Sequence, residues 1–478
     1  VAIIGAGFAG VCMGIKLKEA GIDDFVILES GDSVGGTWRD NTYPGCACDV
    51  PSHLYSYSFR LHGEWSEVFP PWQEIRDYLG DCVRHYGLES RLRLRTAVDE
   101  LRYDEKLDGW ELALSDGQRI RARFAIAATG PLTKPLLPDI PGLDGFRGPK
   151  IHSARWDHGC LLDGKRVAVI GTGASAIQIV PAIARKVGRL HVFQRTAPWI
   201  LPRYNRRYGK VARWIYRRFP FARRLTRWLT YWRLEAFGPA VLGDGFMRRF
   251  FEFVGRCHLR LHVPDAALRE KLRPRFRLGC KRVLLSDSYY RALQLPQVEL
   301  VTDKIAGFTA DGIVTQDGRE RSLDAVIFAT GFRATEFVAP LRIHGKNGRE
   351  LSEMWKSDAM SYLGISVAGF PNLFLLVGPN TGLGHSSIIF MIEAQVRYVI
   401  DAIRAAQSRG LTRLEVRPEV QEGFQEEVQA RLRGTAWLSG CRSFYLSRNG
   451  KTYMMWPGST VEYWRRTRRF DPAKYLGG

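Results

Sequence analysis

The sequence predicts an α/β fold made of two Rossmann-like dinucleotide-binding domains, the second carrying a helical insertion. Three observations predict it: a glycine-rich turn at the N-terminus, a second such turn near the middle, and two matching A-T-G strand ends. The 478 residues suffice for two or three domains with substantial cores. A hydrophobic fraction of 45% and a charged fraction of 25% place the chain among ordinary globular proteins and exclude a disordered one. No apolar run approaches the roughly 20 residues of a membrane span, and the first residues read as a buried strand rather than a signal peptide.

The first turn lies in "VAIIGAGFAG", a short apolar run followed by Gly5, Gly7 and Gly10 and then the helical stretch "VCMGIKLKEAG". Glycines at this spacing permit a tight turn, close approach of backbone to a pyrophosphate, and close helix packing, while the helix N-terminus favours the negative charge. The next apolar run, "FVILE", ends in Glu29, where such folds hold a ribose hydroxyl. An acid at that strand end fits FAD or NAD. The stretch "LRYDEKLDGWELALSDGQRIRARFAIAATG" then reads as turn-rich β-structure closing at Gly130.

The segment "FRGPKIHSARWD", 146–157, is patterned neither as a strand nor as an amphipathic helix and is expected to be a linker. The second turn follows in "RVAVIGTGASA", with Gly171, Thr172, Gly173, Ser175 and Ala176. Its next strand, "LHVFQR", ends in Gln194 and Arg195 instead of an acid. An arginine there pairs with a 2'-phosphate that a carboxylate would repel, so this site is expected to take NADPH. The strand "AVIFATG", closing at Gly331, mirrors the first A-T-G end.

The net charge of +21 is concentrated in residues 203–233, which hold eleven Lys or Arg and no acid, interleaved with aromatics. The plainer expectation is a helical insertion whose aromatics pack inward while its arginine stems reach outward. The other is weak peripheral contact with an anionic membrane, or a grip on phosphates. No nucleic-acid module is recognisable, so no nucleic-acid partner is expected. The eight cysteines show no C-x-x-C pair and no metal-ligand spacing. No metal site is expected, a reducing, cytoplasmic setting fits best, and Cys46 and Cys48 read as buried loop thiols.

The doubled turn and strand plan resembles the flavoproteins with two dinucleotide-binding domains. That resemblance implies a FAD domain in two pieces, 1–150 and 332–478, around an NADP domain, 151–331, whose helical insertion spans about 200–280. Disulfide reductases of this superfamily need a redox-active cysteine pair beside the flavin, and the spacing shows none. Read as F-x-G-x-x-x-H-x-x-x-W-D, the linker places Phe146, Gly148, His152, Trp156 and Asp157 as in the fingerprint of type I Baeyer-Villiger monooxygenases. The segment "GGTWRDNTYPGCACD" resembles the same family through Gly36, Thr37, Trp38, Tyr43, Pro44, Gly45 and Asp49, and "SHLYSYSF", with Tyr55, continues it. "GCKRVLLSDSYY" resembles the segment holding the family's Lys-Arg pair, here Lys281 and Arg282. The likeness runs on to "NGKTYMMWPGS". It departs at Phe444, where many relatives carry a tryptophan near the nicotinamide.

The resemblance implies that NADPH reduces FAD, that the reduced flavin captures O2 as a C4a-peroxide, and that this attacks a ketone to give an ester or lactone. Arg282 would stabilise the negative charge, because a guanidinium stays protonated throughout. Asp49 would orient it, although an Asp ahead of Pro51 also suits a turn. Gly5, Gly7, Gly10, Glu29, Gly36, Thr37, Trp38, Asp49 and Tyr55 would meet FAD. Gly171, Thr172, Gly173, Ser175, Ala176, Arg195, Thr196 and Lys281 would meet NADP. His152 would position the linker as a hinge rather than transfer protons. The alternatives are a flavin monooxygenase that oxidises sulfur or nitrogen, an NADPH oxidase that releases peroxide, and a flavoprotein whose basic segment is its function.

Overall fold

The computed structural model describes residues 1–478 apart from Asp244, Arg442, Arg448 and Gly478. Two five-stranded sheets organise it. One runs, from edge to edge, Leu373–Leu375, Ala125–Ala127, Ala2–Ile4, Val26–Leu28 and Leu92–Arg93, with every neighbour parallel. The other runs Val298–Val301, Arg189–Phe193, Arg166–Ile170, Ala325–Phe328 and Lys150–His152, again all parallel. Strands buried on both faces need continuous apolar runs, which "AII", "AIA" and "VAVI" supply. The chain leaves Ala2–Ile4 for a neighbour on one side and later pairs it on the other, and Arg166–Ile170 repeats this. Each of these strands is therefore a switch point, with a crevice at its carboxyl end.

The glycine-rich turns occupy those ends. Gly5 and Gly171 have φ of +103° and +117°, and a Cβ on either would lie 2.6 Å from the Ala128 carbonyl oxygen or 2.4 Å from that of Ala329. Both A-T-G strand ends thus press on the first glycine of a turn, and no larger residue fits. The helices Phe8–Glu19 and Ala176–Ile183 start from the two turns. The long helix Ile388–Arg409 packs on the first of them. It is capped by the Ser387 hydroxyl, which accepts from Ile389 N, and ends at left-handed Gly410. Two smaller sheets accompany the parallel ones: an antiparallel meander from Val98–Asp104 to Arg119–Ala122 with Arg342–His344 added in parallel, and an antiparallel one from Ile305–Thr309 to Glu320–Ser322.

Three expectations are corrected. Part of the linker is a strand: Lys150–His152 forms the edge of the second sheet, with His152 opposite Phe328 and the Pro149 carbonyl accepting from Val326 N. A three-residue edge strand pairs on one side and leaves no readable alternation.

The basic segment turns three arginines inward, Arg203, Arg223 and Arg227, and leaves its tryptophans outside. Helices Lys210–Arg218 and Pro220–Glu235 lie on the surface, and Trp214, Phe221, Trp228 and Leu229 are all exposed. Meanwhile Arg227 donates to the carbonyls of His53, Leu54 and Ser56 at 3.1, 3.0 and 2.8 Å. Three carbonyls of one loop converge there, that of His53 also accepting from the Ser56 hydroxyl at 3.3 Å, and a guanidinium reaches all three.

Cysteine spacing also missed a pair. Cys280 and Cys441 form a disulfide across 161 residues, with Cα atoms 6.2 Å apart. Pairing over such a distance is set by the fold and is not legible in spacing. Cys46 and Cys48 are free and buried, and burial pushes the Cys46 thiol up to about 12.

Candidate active site

The Tyr43-Pro44-Gly45 loop is held against the second glycine-rich unit. Tyr43 OH donates to Gln178 Oε1 at 3.0 Å, Gln178 Nε2 donates to the Ala47 carbonyl at 2.9 Å, and Gly45, at φ +80°, would put a Cβ 2.7 Å from the Gln178 carbonyl. Gln178 lies on the helix that starts from the second turn, so the loop bearing Asp49 is fixed relative to that turn. Trp38 packs against the cores of both sheets, and its indole Nε1 donates to Tyr55 OH at 3.1 Å. Gly36, at φ +52°, faces the first turn, where a Cβ on Gly7 would lie 3.6 Å from its Cα; Thr37 opens the short helix Thr37–Asp40.

Asp49 Oδ2 accepts from Arg282 Nη2 at 2.6 Å and from Nε at 2.9 Å. Asp49 is the first influence raising the Arg282 guanidinium above its ordinary value, against burial, so the cation is permanent. The Arg282 side chain keeps 40% of its surface and that of Asp49 31%, so the pair is reachable from a crevice. Tyr445 stands against the same guanidinium, and burial raises its phenol while Arg282 opposes that rise. Sequence reasoning did not single out Tyr445, because no local signal tied it to Arg282. Phe444 is 47% exposed and packs on Tyr445 with the rings tilted by 44° and their centroids 4.3 Å apart. The disulfide joins Cys280, next to Lys281 and Arg282, to Cys441, just before this aromatic pair.

Glu29 is buried and already engaged. One carboxylate oxygen accepts from Ala6 N at 2.7 Å, and the other from Gly31 N at 2.8 Å and from Arg39. A carboxylate offers about four acceptor positions, so the oxygen bound to Ala6 N retains one for a ribose hydroxyl. In the second unit Thr172 Oγ1 donates to the Thr196 carbonyl at 3.1 Å, which ties the turn to the next strand end. Gly173 has open space where a Cβ would stand, Ser175 precedes the helix, and Ala176 is buried at its start. Burial first, and then the charge of Arg195, push the Lys281 ammonium below its ordinary value. Among the described residues neither cation has a carboxylate within ion-pair distance, a donor set that fits a phosphate dianion.

The linker bridges the two units. His152 is buried, its Nδ1 accepts from Ala154 N at 3.1 Å, and burial holds the ring below its ordinary value against the opposing Gly331 backbone. Its ring lies 6.2 Å from that of Phe332, so it clasps the end of the second A-T-G strand. Arg155 reaches Asp40 at 3.6 Å, and His158 Nε2 meets Thr42 Oγ1 at 2.8 Å, across to the Trp38 helix and the loop after it. Trp156 packs on the core of the second sheet, and Asp157 accepts from Gly159 N at 2.8 Å to turn the chain. Phe146 is buried against Phe308, and Gly148 is required because a Cβ would meet the Phe146 ring at 2.6 Å and the Asp324 carbonyl at 2.7 Å.

Two glycine-rich turns at the switch points of two parallel sheets define an oxidoreductase of the two-dinucleotide class. The family model for pyridine nucleotide-disulphide oxidoreductases matches residues 2–224. A Baeyer-Villiger monooxygenase of Pseudomonas aeruginosa is 44% identical over 99% of this chain and 90% of its own length. Among solved structures, OTEMO complexed with FAD and NADP superposes with a TM-score of 0.89 at 28% identity, covering 100% of this chain and 99% of the other. Oxidised steroid monooxygenase bound to NADP gives 0.87 at 31%, covering 98% and 96%. The chain belongs to the Baeyer-Villiger monooxygenase family.

Proposed function

We propose that the pair of Arg282 and Asp49 is the oxygen-transfer centre of this enzyme. It is an NADPH- and O2-dependent flavin monooxygenase that converts ketones to esters or lactones, with FAD and NADPH as cofactors. We assign FAD to the sheet that begins at Ala2–Ile4, within residues 1–150 and 332–478, and NADP to the sheet that begins at Arg166–Ile170, within 151–331. The observation that carries the reading is the contact of Arg282 with Asp49, which joins the loop after the first turn to the segment beside Lys281.

When bound and reduced by NADPH, FAD supplies the oxygen-activating chemistry. Arg282 presents guanidinium N–H groups to the negative charge that develops as a ketone carbonyl is attacked, and it never gives up its proton. Asp49 and Tyr445 fix its plane. Gly5, Gly7, Gly10, Glu29, Gly36, Thr37, Trp38 and Tyr55 form the walls for FAD. Gly171, Thr172, Gly173, Ser175 and Ala176 seat the NADP pyrophosphate, while Arg195, Thr196 and Lys281 take the 2'-phosphate. The linker from Phe146 to Asp157 holds the two units in register and keeps water out. Dependence on NADPH supports a cytoplasmic setting, with the Cys280–Cys441 disulfide as the one observation that points the other way.

The test is stoichiometry. Purified enzyme with a panel of linear, cyclic and aromatic ketones should yield about one ester or lactone per NADPH for its best substrate. Oxidation of sulfides alone would instead assign it to the sulfur-oxidising branch, and peroxide release with every substrate would make it an oxidase.

A further inference from the structure

Helix Pro220–Glu235 is amphipathic the wrong way round for a core element. Phe221, Leu225, Trp228, Leu229 and Trp232 share an arc of about 100°, and they are 73, 42, 58, 54 and 47% exposed. Its opposite side is committed to the protein. Arg227 grips three carbonyls, Tyr231 OH meets Thr460 Oγ1 at 2.8 Å, and Glu235 accepts from Thr460 Oγ1 at 2.6 Å and pairs with His385 at 3.2 Å. These anchors leave the helix no rotation that would bury the stripe. The preceding helix Lys210–Arg218 does the same. Tyr216 turns in against His53, with centroids 4.1 Å apart, while Val211, Trp214 and Ile215 face outward. Thr226 Oγ1 bonds Tyr216 OH at 3.3 Å, so the two helices form one unit. Around the stripes stand Arg213, Arg218, Arg224 and Arg233, all exposed.

We propose that this helical hairpin docks the enzyme on an anionic lipid bilayer, the stripe entering the headgroup boundary and the arginines pairing with lipid phosphates. Charge selects the occupant. A two-fold dimer through this face would oppose exposed arginines with exposed arginines, because residues 203–233 hold no acid. Nucleic acid would use the arginines but give Val211, Leu225 and Leu229 nothing to bury against. A bilayer takes both features, and tryptophan is the residue type suited to its interface. Arg227 binds the His53–Ser56 carbonyls, so the docked face lies directly behind the loop that continues from Asp49 to Tyr55.

FAD-loaded enzyme is sedimented with vesicles of phosphatidylcholine alone or mixed equally with phosphatidylglycerol. The mixed vesicles should retain about tenfold more protein at low salt, and about 1 M salt should release most of it. The double variant Trp228→Glu, Leu229→Glu should lose that retention while keeping its FAD and its ketone turnover in solution. Arg224→Gln, Arg233→Gln should weaken it on the mixed vesicles, a second check that leaves the stripe intact. Equal recovery with and without mixed vesicles, or unchanged retention of both variants, overturns the proposal. So does a dimer in sedimentation velocity that the stripe variant dissolves, or salt-sensitive DNA binding without vesicle binding.

Discussion

Arg282 and Asp49 are 233 positions apart in the chain and 2.6 Å apart in space. Their contact joins the loop that Gln178 ties to the second unit to the segment beside Lys281, and it holds a permanent cation against one carboxylate. Arg282→Ala should lower ketone turnover about 100-fold or more while sulfide oxidation stays within about tenfold, because only the ketone reaction develops charge on the substrate oxygen. Asp49→Asn should lower ketone turnover about tenfold by leaving the guanidinium poorly oriented. Parallel rates on one ketone and one sulfide check both, and equal losses on the two substrates would refute the assignment.

On the proposed NADP assignment, Arg195 and Lys281 offer two cations to one phosphate. Arg195→Ala should raise the KM for NADPH about 10- to 100-fold, as loss of a charged hydrogen-bonding partner does, and leave that for NADH nearly unchanged. Lys281→Ala should act in the same direction and more weakly. Initial-rate measurements with both nucleotides decide it; a matching rise for NADH would mean the site had merely been disrupted.

His152 and Trp156 tie the linker to the second sheet, while Arg155 and His158 reach the loop after the first turn. His152→Ala and Trp156→Ala should lower the ratio of product to NADPH about twofold or more, with the balance appearing as hydrogen peroxide. Peroxide and product assays on the same samples check this, and unchanged coupling in both variants would assign the linker a purely packing role.

His53 predicts how stability depends on pH. Burial, with Arg223, Arg227 and His62 nearby, pushes it from 6.5 down to about 4. Between those values the unfolded chain binds the proton that the folded chain refuses, so stability is whole above pH 6.5 and falls as the pH drops toward 4. The loss from this group approaches about 3 kcal/mol at the acid end. Thermal unfolding of native protein and His53→Gln from pH 7.5 to pH 4.5 should give a shallower acid slope in the variant, and parallel slopes would show that other groups govern the acid limb.

Much of this protein was legible in its sequence because the physics involved is local. A glycine-rich turn needs glycine within a few residues of its strand, so Gly5, Gly171 and both A-T-G ends announced the two parallel sheets. The resemblance over the Tyr-Pro-Gly and Lys-Arg segments named Asp49 and Arg282 without placing them together. What depended on distant partners stayed hidden. Lys150–His152 became a strand because Ala325–Phe328 offered it an edge, Cys280 found Cys441, and Tyr445 came to rest on Arg282.

The basic segment shows the division most clearly. Sequence by itself determined that residues 210–235 form amphipathic helices crowded with arginine. Only the tertiary structure decided which face turned inward, because Arg227 could reach the His53, Leu54 and Ser56 carbonyls at once. An unsatisfied buried carbonyl costs more than an exposed ring, so the arginine went in and the tryptophans stayed out.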